Sequence, residues 1–183
     1  MKKLFQNSRF ALILTIVLVI FSTLLNTHIR LGRISDSVSD SFYASNSETP
    51  IAESLRTLAG AAERLATLGE EYRPSEAEET KENVEMLRTL LRYESASPAT
   101  LSYYYSSLLS NCFTLESVLV QTDLKESQEE MLSEAMHDAA EAKAAIDASS
   151  YNERVRTFTK RYDRFPTNLL AGLAGVSYPV LFT

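Results

Sequence analysis

The hydrophobic positions fall into an unbroken apolar run at the N-terminus followed by long stretches of helical periodicity joined by short polar links. Phe10–Leu25 carries no charge, and 12 of its 16 residues are Leu, Ile, Val or Phe. Beyond it Leu31, Ile34, Val38 and Phe42 recur at helical spacing, so the first helix is expected to run on and fray towards Ser45. Ser47-Glu48-Thr49-Pro50 reads as a turn, with Thr49 as N-cap and Pro50 at the first helical position. Ile51, Leu55, Leu58, Ala62, Leu65 and Leu68 then line one helix face. Pro74 interrupts that stripe, and Val84, Leu87, Leu90 and Leu91 resume it as far as Ser95-Ala96-Ser97-Pro98.

An interior proline costs about 3 kcal/mol unless the helix bends. Pro50–Glu94 is therefore either one kinked helix or two stacked ones. A kink would bring the chain end back towards the anchor, and a full reversal would leave it distal. A third helix is predicted from Pro98 to Gln121, and a last one from Asp123 unbroken to Arg164. Near its end Tyr151, Val155, Phe158, Tyr162 and Phe165 alternate at +4 and +3, a coiled-coil-like seam. The predicted fold class is all-α, an N-terminal transmembrane helix continuing into an up-down-up-down bundle of long helices. The expected divisions are an N-terminal stub and anchor over 1–30, a bundle over 31–168 and an apolar tail over 169–183.

At about −0.3 to −0.6 kcal/mol per large apolar residue, the Phe10–Leu25 run favours membrane insertion by roughly 5 kcal/mol. Sixteen residues rise only about 24 Å against a ~30 Å hydrocarbon core. Snorkelling by Arg9 and Arg30, with inclusion of Asn26–Ile29, makes up the span. A cleaved signal peptide is the rival, but no small-x-small pattern follows Leu25, so an uncleaved anchor is expected. Lys2, Lys3, Arg9 and the α-amino group outweigh Arg30 and Arg33, which predicts a cytoplasmic N-terminus and an extracytoplasmic bundle.

Composition sharpens this picture. Only 5 Gly and 5 Pro in 183 residues leave too little turn chemistry for an all-β or α/β fold. The net charge of −6 is unevenly spread, since residues 34–150 hold 8 basic against 22 acidic side chains. An acidic body argues against nucleic acid as a partner. Basic character returns at Arg154, Arg156, Lys160, Arg161 and Arg164, the candidate interaction or membrane-proximal residues. The tail from Phe165 to Thr183 has no charged side chain. With Pro166, Asn168, Gly172, Gly175 and Pro179, it reads as a turn, a short helix over Leu169–Leu173, and an end that packs on the bundle or dips into the interface.

Candidate chemistry is sparse. Cys112 is the single cysteine, expected buried and inert, which excludes a disulfide framework and a cysteine-based zinc site. No cysteine lies near the N-terminus to carry a lipoprotein anchor. Glu134-x-x-His137, with Glu141 one turn on, has di-iron-bundle spacing, but the second such motif is missing and a solvated face is expected. The acid runs Glu76–Glu79 and Glu129-Glu130 are read the same way. No catalytic residues, cofactor or metal are expected. Tyr103-Tyr104-Tyr105 sweeps about 200° of helix, so at least one ring should reach the rim.

Tyr151-Asn152-x-x-Val155, followed by Phe165-Pro166-x-Asn168-Leu169-Leu170-Ala171, resembles the LemA family signature. Asp123-Leu124-Lys125 is similar to that family's helix start, and Glu141 falls where the family carries Glu. The likeness is specific over residues 123–176 and departs from the pattern at Ala148, Thr159, Val176 and around Val38. It implies a membrane-anchored bacterial helical bundle, non-enzymatic and accessory to other membrane proteins. On that reading Tyr151, Asn152, Val155, Phe165, Pro166 and Asn168 are structural, with Asn168 placed to cap the short helix after Pro166. The expected function is an interaction or scaffold protein, whose partners are the membrane, an unidentified membrane or envelope protein, or a second copy. An extracytoplasmic ligand-binding or sensory bundle is the alternative.

Overall fold

The computed structural model describes residues 8–44, 49–94 and 96–183, and Lys2, Lys3 and Ser45–Glu48 lie outside them. The chain is all-helical, with α1 Ser8–Asp40, α2 Ile51–Gly69, α3 Pro74–Tyr93, α4 Pro98–Leu119, α5 Glu126–Ala148, α6 Tyr151–Tyr162 and α7 Thr167–Leu173. It divides into two compact units. One comprises Asp40–Glu153 with Val180–Thr183, and the other the residues up to Ser39 with Arg154–Pro179.

The first unit is the bundle α2–α5. Twelve of the nineteen residues of α2 are buried, too wide a face for a single neighbour. It packs against α3, α4 and α5, while α4 and α5 touch each other only sparsely. Ala52, Ala59, Ala61, Ala62 and Ala66 keep its surface low enough for three partners. At its end Gly69 makes room for Leu115, because a Cβ there would lie 2.6 Å from Leu115 Cδ2 and force that side chain to shift. The outer helices bury narrower stripes at alternating three- and four-residue spacing. These are Ala77, Thr80, Val84, Leu87 and Leu91 on α3, and Leu132, Ala135, Ala139, Ala142 and Ile146 on α5.

The links follow proline and serine chemistry. Pro74 marks a reversal, not a kink: Gly69 O accepts from Tyr72 N and Arg73 N at 3.0 and 2.7 Å, and α3 begins with Pro74 in its first turn. Ser97 caps α4, its Oγ accepting from Thr100 N at 3.2 Å, with Pro98 next. Pro50 itself, not Thr49, is the N-cap of α2, so the helix starts one residue later than the sequence predicts, and the Pro50 carbonyl accepts from Glu53 N and Ser54 N.

Two expectations are corrected. The last helix is not continuous from Asp123 to Arg164. It starts at Glu126 and stops at Ala148, where Ser149 turns extended (φ −64°, ψ 133°) and its Oγ accepts from Tyr151 N at 3.3 Å. A serine hydroxyl that satisfies a backbone donor locally competes with helix continuation. The bundle also recruits different helices from those expected, because Pro50–Glu94 supplies two of the four and α1 belongs to the other unit.

The other unit is built on α1. Its extension beyond residue 30 meets α6 and α7 through buried Leu31, Phe158 and Ala171, with Val38, Tyr162, Val176 and Tyr178 packed around them. The Phe158 ring lies 5.0 Å from Tyr162 and 5.2 Å from Tyr178, and Tyr178 OH donates to Tyr162 O at 2.9 Å. Tail residues as far as Pro179 belong to the unit of α1, whereas Val180–Thr183 belong to the bundle unit.

Candidate interaction surfaces

On α1 the environment changes sharply at residue 31. Leu12, Ile13, Ile16, Val17, Leu18, Val19, Ile20 and Phe21 are all at least half exposed, whereas Leu31 and Ser35 are buried. The most apolar window of α1 has a mean hydropathy of 2.3 and no buried residue. One N-terminal helix is therefore long and apolar enough to cross a membrane.

Just past that window the tail is tied to α1. The carbonyl of Ala174 lies 2.8 Å from His28 Nδ1, and Ser35 Oγ donates to Ser177 O at 2.5 Å. His28, Gly32, Arg33 and Asp36 face Gly175 and Ser177 across an open cleft of about 380 Å³. Of the basic candidates, Arg156, Lys160, Arg161 and Arg164 are exposed and Arg154 is half-buried. The Arg161 guanidinium stands 5.4 Å from the centre of the Tyr162 ring.

The seam holds for Tyr151, Val155 and Phe158, which are 2–3% exposed. It fails at Phe165, which is 81% exposed because α6 ends at Tyr162. Pro166 precedes α7, its carbonyl accepting from Leu170 N at 3.1 Å. Asn168 does not act as N-cap. It lies within α7, and its Oδ1 accepts from the adjacent Leu169 N at 2.7 Å.

Within the bundle unit the sequence reading missed a clamp. Asn152 Nδ2 donates to Phe182 O at 2.6 Å, and Phe182 N donates back to Asn152 Oδ1 at 2.8 Å. Tyr151 OH donates to Val180 O at 2.8 Å, and Ser102 Oγ donates to Thr183 O. The amide side chain of Asn152 thus pairs with both backbone groups of one residue, as a neighbouring strand would. The Phe182 ring enters an aromatic nest, 5.6 Å from Phe42 and 5.5 Å from Tyr105, while Tyr151 lies 5.3 Å from Phe42. Burial pushes the Tyr151 phenol up to about 12. Of the three consecutive tyrosines, Tyr103 is 68% exposed, as their angular spread requires.

Where α4 and α5 diverge, Leu109, Cys112, Phe113, Met136, Ala139 and Ala140 line a small apolar groove of about 110 Å³. That is well under the ~300–1,000 Å³ of a small-molecule pocket. Phe113 stands 59% exposed at its edge. Cys112 is buried, and desolvation followed by the Glu116 charge pushes its thiol up to about 12, which makes it a poor nucleophile. Glu141 and His137 are exposed and 4.0 Å apart, and among the described residues no group of three potential metal ligands forms. Compared with known protein families, curated proteins and solved structures, the chain matches none.

Proposed function

We propose that this chain is a single-pass, membrane-anchored helical-bundle interaction protein of the LemA type, non-enzymatic and accessory to another membrane protein of a bacterial envelope. The observation that carries this reading is the change along α1, from an apolar window with no buried residue to a packed helix at Leu31. A helix with that profile tethers folded protein to a membrane. The charge bias puts the N-terminus in the cytoplasm and the bundle outside.

The α4–α5 side is the partner face in this reading. Exposed Phe113 beside an apolar groove offers the kind of anchor that receives one face of a partner's amphipathic helix. The test is site-specific photo-crosslinking in native membranes, with the probe at Phe113 and, as control, at exposed Glu85 on α3. One recurrent membrane protein captured from position 113 only, and lost when groove-lining Ala140 is replaced by Glu, is the expected result. Self-crosslinks alone would make the chain a homo-oligomer, and equal capture from both positions would reject the partner face.

A further inference from the structure

We infer that α7 is a second membrane contact, an interfacial platform that lies on the anionic headgroup layer of the membrane that α1 crosses. The inference rests on reading α1 as a membrane span and adds a lipid surface as a partner.

The first observation is register. Hydrogen bonding holds Ala174 against His28, and Leu31 packs with Ala171. The apolar run of α1 ends at Leu25, three residues before His28, which at 1.5 Å per residue is about 4.5 Å along the axis. The C-terminal end of α7 is therefore fixed at the level where the hydrocarbon layer gives way to headgroups. Both contacts lie within one compact unit.

The second observation is what α7 leaves uncovered. Leu169 and Leu173 are 53% and 66% exposed, four residues apart on one side of α7, while Ala171 on the other side is buried; Phe165, just before the helix, is 81% exposed. Three large apolar side chains on a single short segment are an unusual thing to present to water. A seven-residue helix is also too short to stand alone, so the Ala171 contact holds it in place while its apolar side points away. Charge completes the match. Lys160, Arg161 and Arg164 are exposed immediately before this stripe, and Arg30 and Arg33 are exposed on α1, with Asp36, Glu153 and Asp163 as the exposed acids nearby in sequence. An apolar side flanked by basic residues is the pattern of an interfacial helix on anionic lipid.

The chain contains no tryptophan, so a single introduced indole reports its own position. Full-length Phe165→Trp, Leu173→Trp and, as a bundle control, Phe113→Trp are reconstituted into phosphatidylcholine vesicles with or without phosphatidylglycerol. Flotation of the protein with the vesicles reads anchoring by α1. Emission wavelength and quenching by lipids brominated at shallow chain positions read the tail, since an interfacial helix sits about 5–10 Å into the headgroup–acyl boundary. Residues 165 and 173 are expected to emit blue-shifted and to be quenched, more strongly with phosphatidylglycerol, while residue 113 is not. Replacing Lys160, Arg161 and Arg164 with Gln should shift the docking equilibrium away from anionic lipid by about fivefold per charge. Vesicle-bound protein with unquenched, water-like emission at 165 and 173 overturns the inference and leaves the anchor standing. Protein that fails to float overturns both, and equal quenching at 113 overturns the specific platform.

Discussion

Replacing Asn152 with Ala removes both hydrogen bonds that hold Phe182 and leaves its backbone N–H and carbonyl without those partners. A neutral hydrogen bond contributes about 1 kcal/mol net, so the pair stabilises the docked tail by about 2 kcal/mol. Since 1.4 kcal/mol is tenfold, opening of residues 180–183 should become about 30-fold more populated. Phe182 keeps its ring contacts with Phe42 and Tyr105, and Tyr151 still holds Val180, so the opening stays local. Hydrogen exchange of the full-length protein in lipid nanodiscs measures it directly, as roughly 30-fold faster exchange at the Phe182 amide with α2 amides such as Leu58 and Leu65 unchanged. Asn152→Asp keeps the acceptor but sets a carboxylate against the Phe182 carbonyl, and should lose at least as much protection. Unchanged exchange at Phe182 in Asn152→Ala, or an equal loss across α2, would refute the clamp.

Other predictions concern the bundle and its surface. Gly69→Ala should cost about 1–3 kcal/mol by driving a methyl into buried Leu115, whereas Gly60→Ala, with open space around the added carbon, should gain about 0.5–1 kcal/mol; thermal melts of both variants check the contrast. Leu58→Ala should destabilise by about 2–5 kcal/mol, read by chemical denaturation, because the side chain is fully buried on the helix that three others share. Between pH 9.0, where the unfolded thiol ionises, and about 12, the folded chain keeps the Cys112 proton and the unfolded chain releases it. Stability should therefore fall as pH rises through that window, by up to about 1.4 kcal/mol per pH unit from this group, and Cys112→Ala should flatten the fall in alkaline melts. Reversing Arg156 and Arg161 to Glu should leave the far-ultraviolet circular dichroism and melting curve unchanged, since both side chains are exposed, while weakening association with anionic vesicles or with the captured partner.

The helices were legible because their signals are local. Ser97-Pro98 announces the start of α4, and the stripes of α3 and α5 can be counted along the chain. The reversal at Pro74 was half legible: Gly69 five residues before a proline is the stop-and-start punctuation of two helices, a cue stronger than the continuity of the apolar stripe. The stop at Ser149-Ser150 is hidden in the sequence because the seam from Tyr151 continues the helical period across it, although a serine pair after an alanine-rich helix is a natural stop. Tyr151 and Asn152 stand out in the sequence as part of a motif, but the backbone groups they hold are not visible in it. Their partner is an extended segment with no periodicity, and a side chain pairing with a distant backbone leaves no mark in local spacing. The same limit applies to α7. Its helical span was foreseen, whereas its placement against His28 depends on a carbonyl, which every residue has.

The aromatic nest has a consequence for the order in which the protein matures. Phe42 is made 109 residues before Tyr151 and 140 before Phe182, its two ring partners. The bundle helices α2–α5 are complete at Ala148, and their contacts between chain neighbours can form as synthesis proceeds. Phe42 then waits for its last partner through roughly several seconds of further elongation. In that interval the nascent chain presents an aromatic recess on a largely formed bundle, and any product terminated before Val180 presents it permanently. Docking of Phe182 thus distinguishes a chain that carries this segment from one that lacks it, in a form that a chaperone or protease selecting exposed aromatic surface is able to read.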